Sequence, residues 1–118
     1  MPELKKVLRL NKKDYFEVHL SLINCLLPKK MTPMEIKVIA AFMALEGDIA
    51  TYRFGSSAKK IVMNELKLSP ASLSNFLKQL KDKKFIVEQE DKTSIWPILI
   101  PEDREQMYMF KLIREDEK

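Results

Sequence analysis

The stretch from Ser57 to Leu99, SAKKIVMNELKLSPASLSNFLKQLKDKKFIVEQEDKTSIWPIL, carries the pattern that decides the fold. It reads as two short helices with a tight turn between them, followed by two strands joined by a charged loop. Ser69 can cap a helix with its hydroxyl, and Pro70 suits the first helical position, where its missing N–H costs nothing. The second helix of the pair is therefore predicted to begin at Pro70.

Apolar residues recur every three or four positions through this second helix, which predicts one buried face and one free face. The predicted buried face consists of Leu73, Phe76, Leu77 and Leu80. The preceding helix has an apolar side of its own, made of Ile61, Val62, Leu66 and Leu68. Only the Lys67-Leu68 step separates the preceding helix from the Ser69 cap of the second helix, so the two helices are expected to cross at a steep angle.

The pattern changes after Lys84. The apolar run Phe85-Ile86-Val87 is followed by a polar run from Glu88 to Lys92, and then by Ile95-Trp96-Pro97-Ile98. Two short apolar runs around a polar turn predict a β-hairpin, or wing. Pro97 lacks a ladder donor, so the second strand is expected to be an edge or to be bulged.

Charge is concentrated on the helix pair. The chain has 118 residues, enough for one domain, and a net charge of +4. Residues 57–84 hold 7 basic against 2 acidic side chains, a local charge of +5. Such a segment attracts polyanions, although lysines that only solvate the helix faces would give the same count.

Several classes of chemistry find no support in the composition. Two glycines leave no phosphate-binding loop, and one histidine with one cysteine leaves no zinc set. A Ser-His-Asp triad would have to use His19, yet the chain has no nucleophile-elbow sequence for the serine, so we expect no catalytic residue. No metal or cofactor is expected either. Cys25 lies among apolar neighbours and is expected to be buried in the fold. Because a single cysteine forms no internal disulfide, a reducing compartment is expected. Without a leader or a membrane span in the sequence, a cytoplasmic location is expected.

The clearest helix start in the chain is Thr32-Pro33-Met34-Glu35, a capping box with proline at the first helical position. It predicts a helix from about Pro33 to Glu46, with Gly47 as a left-handed stop. Asp48 to Phe54 is rich in strand formers and predicts a short strand that pairs with the wing.

The two flanks have weaker patterns. Tyr15 to Leu27, capped by Asp14, predicts a helix, although its alternation also permits a strand. Residues 4–10 predict a short strand. Tyr108 to Leu112 suits a strand or a helix.

The predicted order is helix, strand, helix, helix, strand, wing and strand, which is mainly α with a small β-sheet (α+β). With Ser69-Pro70-Ala71-Ser72-Leu73-Ser74-Asn75 and then Leu77 to Ile86, the chain resembles the winged helix-turn-helix superfamily, in its MarR-like style. The resemblance covers residues 33–99. It leaves an N-terminal extension, residues 1–30, and a C-terminal extension, residues 100–118, of a single domain spanning residues 1–118.

The resemblance implies that the second helix enters the major groove of double-stranded DNA and that the chain is a transcriptional regulator. The implied base-facing residues are Ala71, Ser72, Asn75 and Gln79. The implied phosphate contacts are Ser69, Ser74, Lys78, Lys59, Lys60, Lys81, Lys83, Lys84 and Lys92. Asn and Gln can bond adenine in two places, and Lys neutralises phosphate. Two alternatives remain: the DNA-recognition part of a replication initiator, and a protein-interaction module in a larger assembly.

Two features depart from the family, whose members usually carry glycine at the position of Lys84 and arginine at the wing tip. This wing tip, Glu88-Gln89-Glu90-Asp91-Lys92, is net negative and would be repelled by phosphate. Either the wing avoids DNA, or Lys92 is its one contact, or this surface binds protein. Apolar residues in both extensions also suggest a homodimer.

Overall fold

A computed structural model of the chain describes residues 5–90 and 92–116. Within this range lie five α-helices and one antiparallel β-hairpin, so the predicted class, mainly α with a small β-sheet, is confirmed. The elements are α1 (Lys12–Ile23), α2 (Pro33–Met43), α3 (Asp48–Thr51), α4 (Ser56–Leu66), α5 (Pro70–Asp82), β1 (Ile86–Gln89) and β2 (Lys92–Ile95). Short 3-10 turns follow α1 at Asn24–Leu26 and β2 at Pro97–Leu99.

Helix α2 lies at the centre of the core, and most of its side chains are buried. Its start has the predicted capping box: Thr32 Oγ1 accepts from the Glu35 N–H at 3.2 Å, and Glu35 Oε1 accepts from the Thr32 N–H at 2.7 Å. The helix ends at Met43, earlier than predicted. Gly47 does adopt a left-handed φ of 68°, but it lies beyond the helix end.

The prediction of a strand over Asp48 to Phe54 is wrong, because this segment forms the short helix α3 and a turn. Arg53, in the turn after α3, reaches the end of α2: its Nη1 donates to the carbonyls of Phe42 at 2.6 Å and Met43 at 3.0 Å. The Phe42 carbonyl also accepts from the Leu45 N–H at 3.3 Å, so the guanidinium is a second donor there, and it holds the turn after α3 against the end of α2. Residues 48–54 therefore form no strand that could pair with the hairpin.

The helix predicted for Tyr15 to Leu27 is confirmed, and the alternative strand is not. The helix α1 has different bounds, Lys12–Ile23. Its cap is Asn11, which accepts from the Asp14 N–H at 2.8 Å, and not Asp14 itself. The predicted burial of Cys25 is wrong: the thiol lies in the exposed 3-10 turn after α1. The apolar residues next to Cys25 in the sequence do not bury its side chain in the structure.

The chain before the first helix and after the hairpin has little regular secondary structure. Residues 5–10 and 101–116 contain no helix or strand, so the strand predicted for residues 4–10 is absent over its described part, and Leu4 lies outside the described residues. Tyr108 to Leu112 likewise forms neither a helix nor a strand. The described residues span 57 × 32 × 28 Å, an elongated shape.

The hairpin pairs Ile86 with Ile95 and Gln89 with Lys92. The second strand ends at Ile95, before the predicted Ile98, because Pro97 begins a 3-10 turn. Ile86 and Ile95 face the core, and the tip of the hairpin is exposed. The hairpin follows directly on α5, as the sequence pattern predicts.

Candidate nucleic-acid interface

The turn between α4 and α5 is short because α4 closes on a left-handed residue. Lys67 has φ 56°, and the N–H of Leu68 donates to the carbonyl of Met63 at 2.9 Å. Ser69 then caps α5, since its Oγ accepts from the Ser72 N–H at 3.1 Å. Three residues therefore redirect the chain from one helix into the next.

Helix α5 has two distinct faces. Leu73, Leu77 and Leu80 are buried in the core, as their spacing predicts, and Phe76 packs against its edge. The opposite face is exposed and carries small, amide and ammonium side chains: Ala71, Ser74, Asn75, Lys78 and Gln79. Three of the four predicted base-facing residues, Ala71, Asn75 and Gln79, thus reach solvent on this helix.

Ser72, the fourth predicted base-facing residue, is half-buried and already hydrogen-bonded. Its hydroxyl accepts from the Ser69 hydroxyl at 3.1 Å, and its N–H donates to the same Ser69 oxygen. Both serines are therefore engaged in capping the start of α5. We name the exposed residues Ala71, Ser74, Asn75, Lys78 and Gln79 the outer face of α5.

The predicted phosphate-contacting lysines have different surroundings. Lys60, Lys78, Lys84 and Lys92 are exposed, and Lys59 is half-buried. Among the described residues, none of these five ammonium groups has a carboxylate within ion-pair distance. Their charges are therefore not neutralised by a carboxylate of the described residues.

Lys81 is held by the hairpin. Its Nζ lies 2.7 Å from Oε1 of Glu88 in β1, and both side chains are partly exposed. The pair joins the last turn of α5 to the first strand. It also neutralises one of the carboxylates that make the hairpin acidic.

Lys83 points into an internal ion pair. Its Nζ lies 2.6 Å from Oε1 of Glu35, which is fully buried, and 3.0 Å from the carbonyl oxygen of Lys30. Lys83 is therefore engaged inside the fold, and its contact with phosphate stays a prediction. The sequence did not reveal this pair, because Glu35 already had a complete explanation as part of the capping box.

Helix α5 ends in a turn that places Lys84 in a left-handed conformation. The Lys84 N–H donates to the Lys81 carbonyl and the Phe85 N–H to the Leu80 carbonyl, both hydrogen bonds of a Schellman motif. This motif requires a left-handed residue, and Lys84 has φ 71°. A lysine here bears the strain that glycine would avoid.

A separate polar cluster fastens the C-terminal extension to α1. His19 is buried, with Nε2 3.1 Å from the Leu99 carbonyl oxygen and Nδ1 hydrogen-bonded to the Tyr108 hydroxyl. Tyr15 donates to the Asp103 carbonyl at 2.6 Å. Burial lowers the pKa of His19, although the hydrogen bond with Leu99 acts in the opposite direction. Sequence reasoning assigned His19 no role, because its partners lie at least 80 residues away.

No cluster of three or more His, Cys, Asp or Glu side chains suited to a metal ion occurs in the described part of the chain. The helices within residues 5–90 and 92–116 are all too short or too polar to cross a membrane. Comparison with models of protein families, with curated proteins and with solved structures gives no match.

Proposed function

We propose that this chain is a winged helix-turn-helix protein that binds double-stranded DNA by placing the outer face of α5 in the major groove. The supporting observation is the division of α5 into a buried leucine face and an exposed face of small, amide and lysine side chains. Small residues at the leading end let the helix approach base edges. Asn75 and Gln79 are suited to adenine, and Lys78 to phosphate.

The charge of the region supports the same function. Lys60, Lys78 and Lys84 are exposed on the segment with the highest local charge of the chain. Internal pairing removes Lys83 from this set, and Glu88 offsets Lys81. The resulting surface is moderately basic, so affinity is expected to depend strongly on salt.

Selection from random duplex oligonucleotides, followed by anisotropy titrations at several salt concentrations, tests the proposal. Asn75→Ala is expected to change which bases are selected. Lys78→Met is expected to weaken all sites similarly and to reduce the slope of log K against log salt by about 1. Lys37→Met, an exposed lysine on α2, is the matched control. Absence of binding to any duplex at low salt would refute the proposal.

The acidic hairpin supports a second candidate, a protein-interaction module. Glu88 and Glu90 are exposed at its tip, and a phosphate would be repelled there. This candidate predicts a stable protein partner whose binding survives Asn75→Ala and Lys78→Ala together, with no DNA binding by the wild type. Binding sites upstream of genes would indicate transcriptional regulation, and sites at a replication origin would indicate an initiator.

A further inference from the structure

A short basic segment precedes α1. Residues 5–10, which we name the N-terminal arm, form no helix or strand, and every one of them is exposed. The arm contains Lys5, Lys6 and Arg9 and no acidic residue, a charge of 3 − 0 = +3. Over the described residues, none of these three cations has a carboxylate within ion-pair distance. The contacts proposed between α5 and DNA use none of these charges.

Two ion pairs fix the place where the arm joins the fold. Lys12 Nζ lies 3.0 Å from Oε1 of Glu46, just beyond the end of α2. Lys13 Nζ lies 3.4 Å from Oε1 of Glu65, in the last turn of α4. Ser69, the cap of α5, comes only four positions after Glu65. The first turn of α1 is therefore held beside the turn that leads into α5, and the arm begins there.

The acidic segment after the hairpin lies on a different side of α1. The Tyr15 hydroxyl donates to the carbonyl oxygen of Asp103 at 2.6 Å. Tyr15 follows Lys13 by two positions, which is about 200° around a helix. The contact with Asp103 and the contact with the end of α4 are thus on opposite sides of α1. The acidic segment is therefore not on the side of α1 that faces the turn before α5.

We propose that the N-terminal arm binds the phosphate backbone of double-stranded DNA beside the major groove that receives the outer face of α5. The inference rests on the proposed function and adds a second contact to the same site. Six residues of extended chain span about 20 Å, whereas the major groove is roughly 12 Å wide. An arm that begins beside the turn before α5 can therefore reach a phosphate strand bordering that groove.

The arm is expected to raise affinity without selecting bases, because phosphates attract Lys and Arg whatever the sequence. Its side chains Val7, Leu8 and Leu10 are also exposed and would suit a lipid surface. The unpaired charges and the position beside α5 favour DNA. The two partners depend on different residues of the arm: DNA on the cations, and a lipid surface on the apolar side chains as well.

Anisotropy titrations of the full chain at several salt concentrations, with the duplex selected from random oligonucleotides, test the inference. Lys5→Gln with Lys6→Gln and Arg9→Gln is expected to reduce the slope of log K against log salt by about 2–3, since each phosphate contact contributes about 0.9. The selected bases are expected to stay the same. Hydroxyl-radical footprinting is expected to show that this variant loses protection at the flank of the site.

Two controls accompany the arm variant. Lys29→Gln with Lys37→Gln and Lys111→Gln removes the same charge from exposed lysines outside the arm and is expected to change the slope by less than about 1. Val7→Ser with Leu8→Ser and Leu10→Ser keeps the charge of the arm and is expected to bind DNA like the wild type. Circular dichroism checks that each variant keeps its helices.

The outcomes separate this inference from the proposed function. An arm variant with the wild-type slope and footprint, while Lys78→Met still reduces the slope, would overturn the inference and leave the proposed function in place. A wild type that binds no duplex at low salt would overturn both. Binding to phosphatidylserine vesicles that the Val7, Leu8 and Leu10 substitutions abolish, without an arm footprint on DNA, would assign the arm to a membrane surface and overturn the inference.

Discussion

Lys83 at the end of α5 and Glu35 in the first turn of α2 form an ion pair of 2.6 Å across the core. Glu35 is fully buried, and its Oε2 has no hydrogen-bond partner within the described residues, so the ammonium of Lys83 is the main compensation for its charge. The pair fixes α5 relative to α2. It thereby sets the direction in which the outer face of α5 projects.

Lys83→Met should lower the free energy of unfolding by about 2–4 kcal/mol, since it leaves a buried carboxylate without its cation. The value is expected below that of a fully enclosed pair, because Lys83 keeps partial contact with water. Urea unfolding measures the change. Lys84→Met, at the exposed neighbour, is the control and is expected to change stability by less than about 0.5 kcal/mol. In the double variant Lys83→Met with Glu35→Gln, the loss of unfolding free energy should be smaller than the sum of the losses in the two single variants.

The same substitution distinguishes an internal lysine from a DNA-facing one. Lys83→Met is expected to leave the salt slope of DNA binding unchanged, while Lys78→Met reduces it by about 1. An equal reduction by both substitutions would mean that the ammonium of Lys83 leaves Glu35 when DNA binds.

Lys84→Gly should stabilise the protein while weakening its binding to DNA. The left-handed φ of 71° costs a lysine more than a glycine, and the entropy cost of glycine offsets part of the gain, leaving about 0.5–1 kcal/mol. Lys67→Gly, at φ 56°, should stabilise similarly. Thermal unfolding measures both. Lys78→Gly, inside α5, is the control and should destabilise by about 1 kcal/mol; a loss of stability in Lys84→Gly would contradict the strain argument.

The local signals in the sequence predicted the starts of α2 and α5 and the buried face of α5. Each depends on residues within a few positions, such as Thr32 with Glu35, or Ser69 with Pro70. The features that sequence did not predict depend on distant partners. Arg53, just after α3, donates to a carbonyl 11 positions earlier at the end of α2, and Lys83 pairs with Glu35 48 positions away. The spacing of apolar residues in α5 predicted its exposed outer face, but it did not predict the ion pair of Lys83 with Glu35.

Glu88→Gln is expected to strengthen DNA binding about two- to fivefold at low salt. It removes a negative charge from the hairpin and frees the ammonium of Lys81, now 2.7 Å from Glu88, for phosphate. Anisotropy titrations measure the gain. Glu90→Gln removes an equal charge at the same hairpin without freeing a lysine, so its gain should be smaller.

The contribution of Lys81 can be isolated in a double variant. In a Lys81→Met background, Glu88→Gln should give no more than the gain of Glu90→Gln. An undiminished gain in that background would show that repulsion by the hairpin, and not the ion pair, limits affinity.

The stability of the fold should fall as the pH is lowered below about 6.5, the ordinary pKa of histidine. Burial lowers the pKa of His19 in the folded state, so the unfolded chain takes up the proton first. The contribution of His19 to the free energy of unfolding is therefore fully present above about pH 6.5. It declines as the pH falls toward the folded pKa, by at most about 1.4 kcal/mol per pH unit.

Urea unfolding between about pH 8 and about pH 5 measures this dependence. His19 is the only histidine, so His19→Gln should flatten the curve in the upper half of the range, before carboxylates titrate. Hydrogen exchange should show earlier opening of residues 101–116 at the lower pH, because protonation places a charge on the buried imidazole of His19, and opening returns that charge to water. A wild-type curve as flat as that of His19→Gln would mean that His19 is protonated equally easily in the folded and unfolded chains.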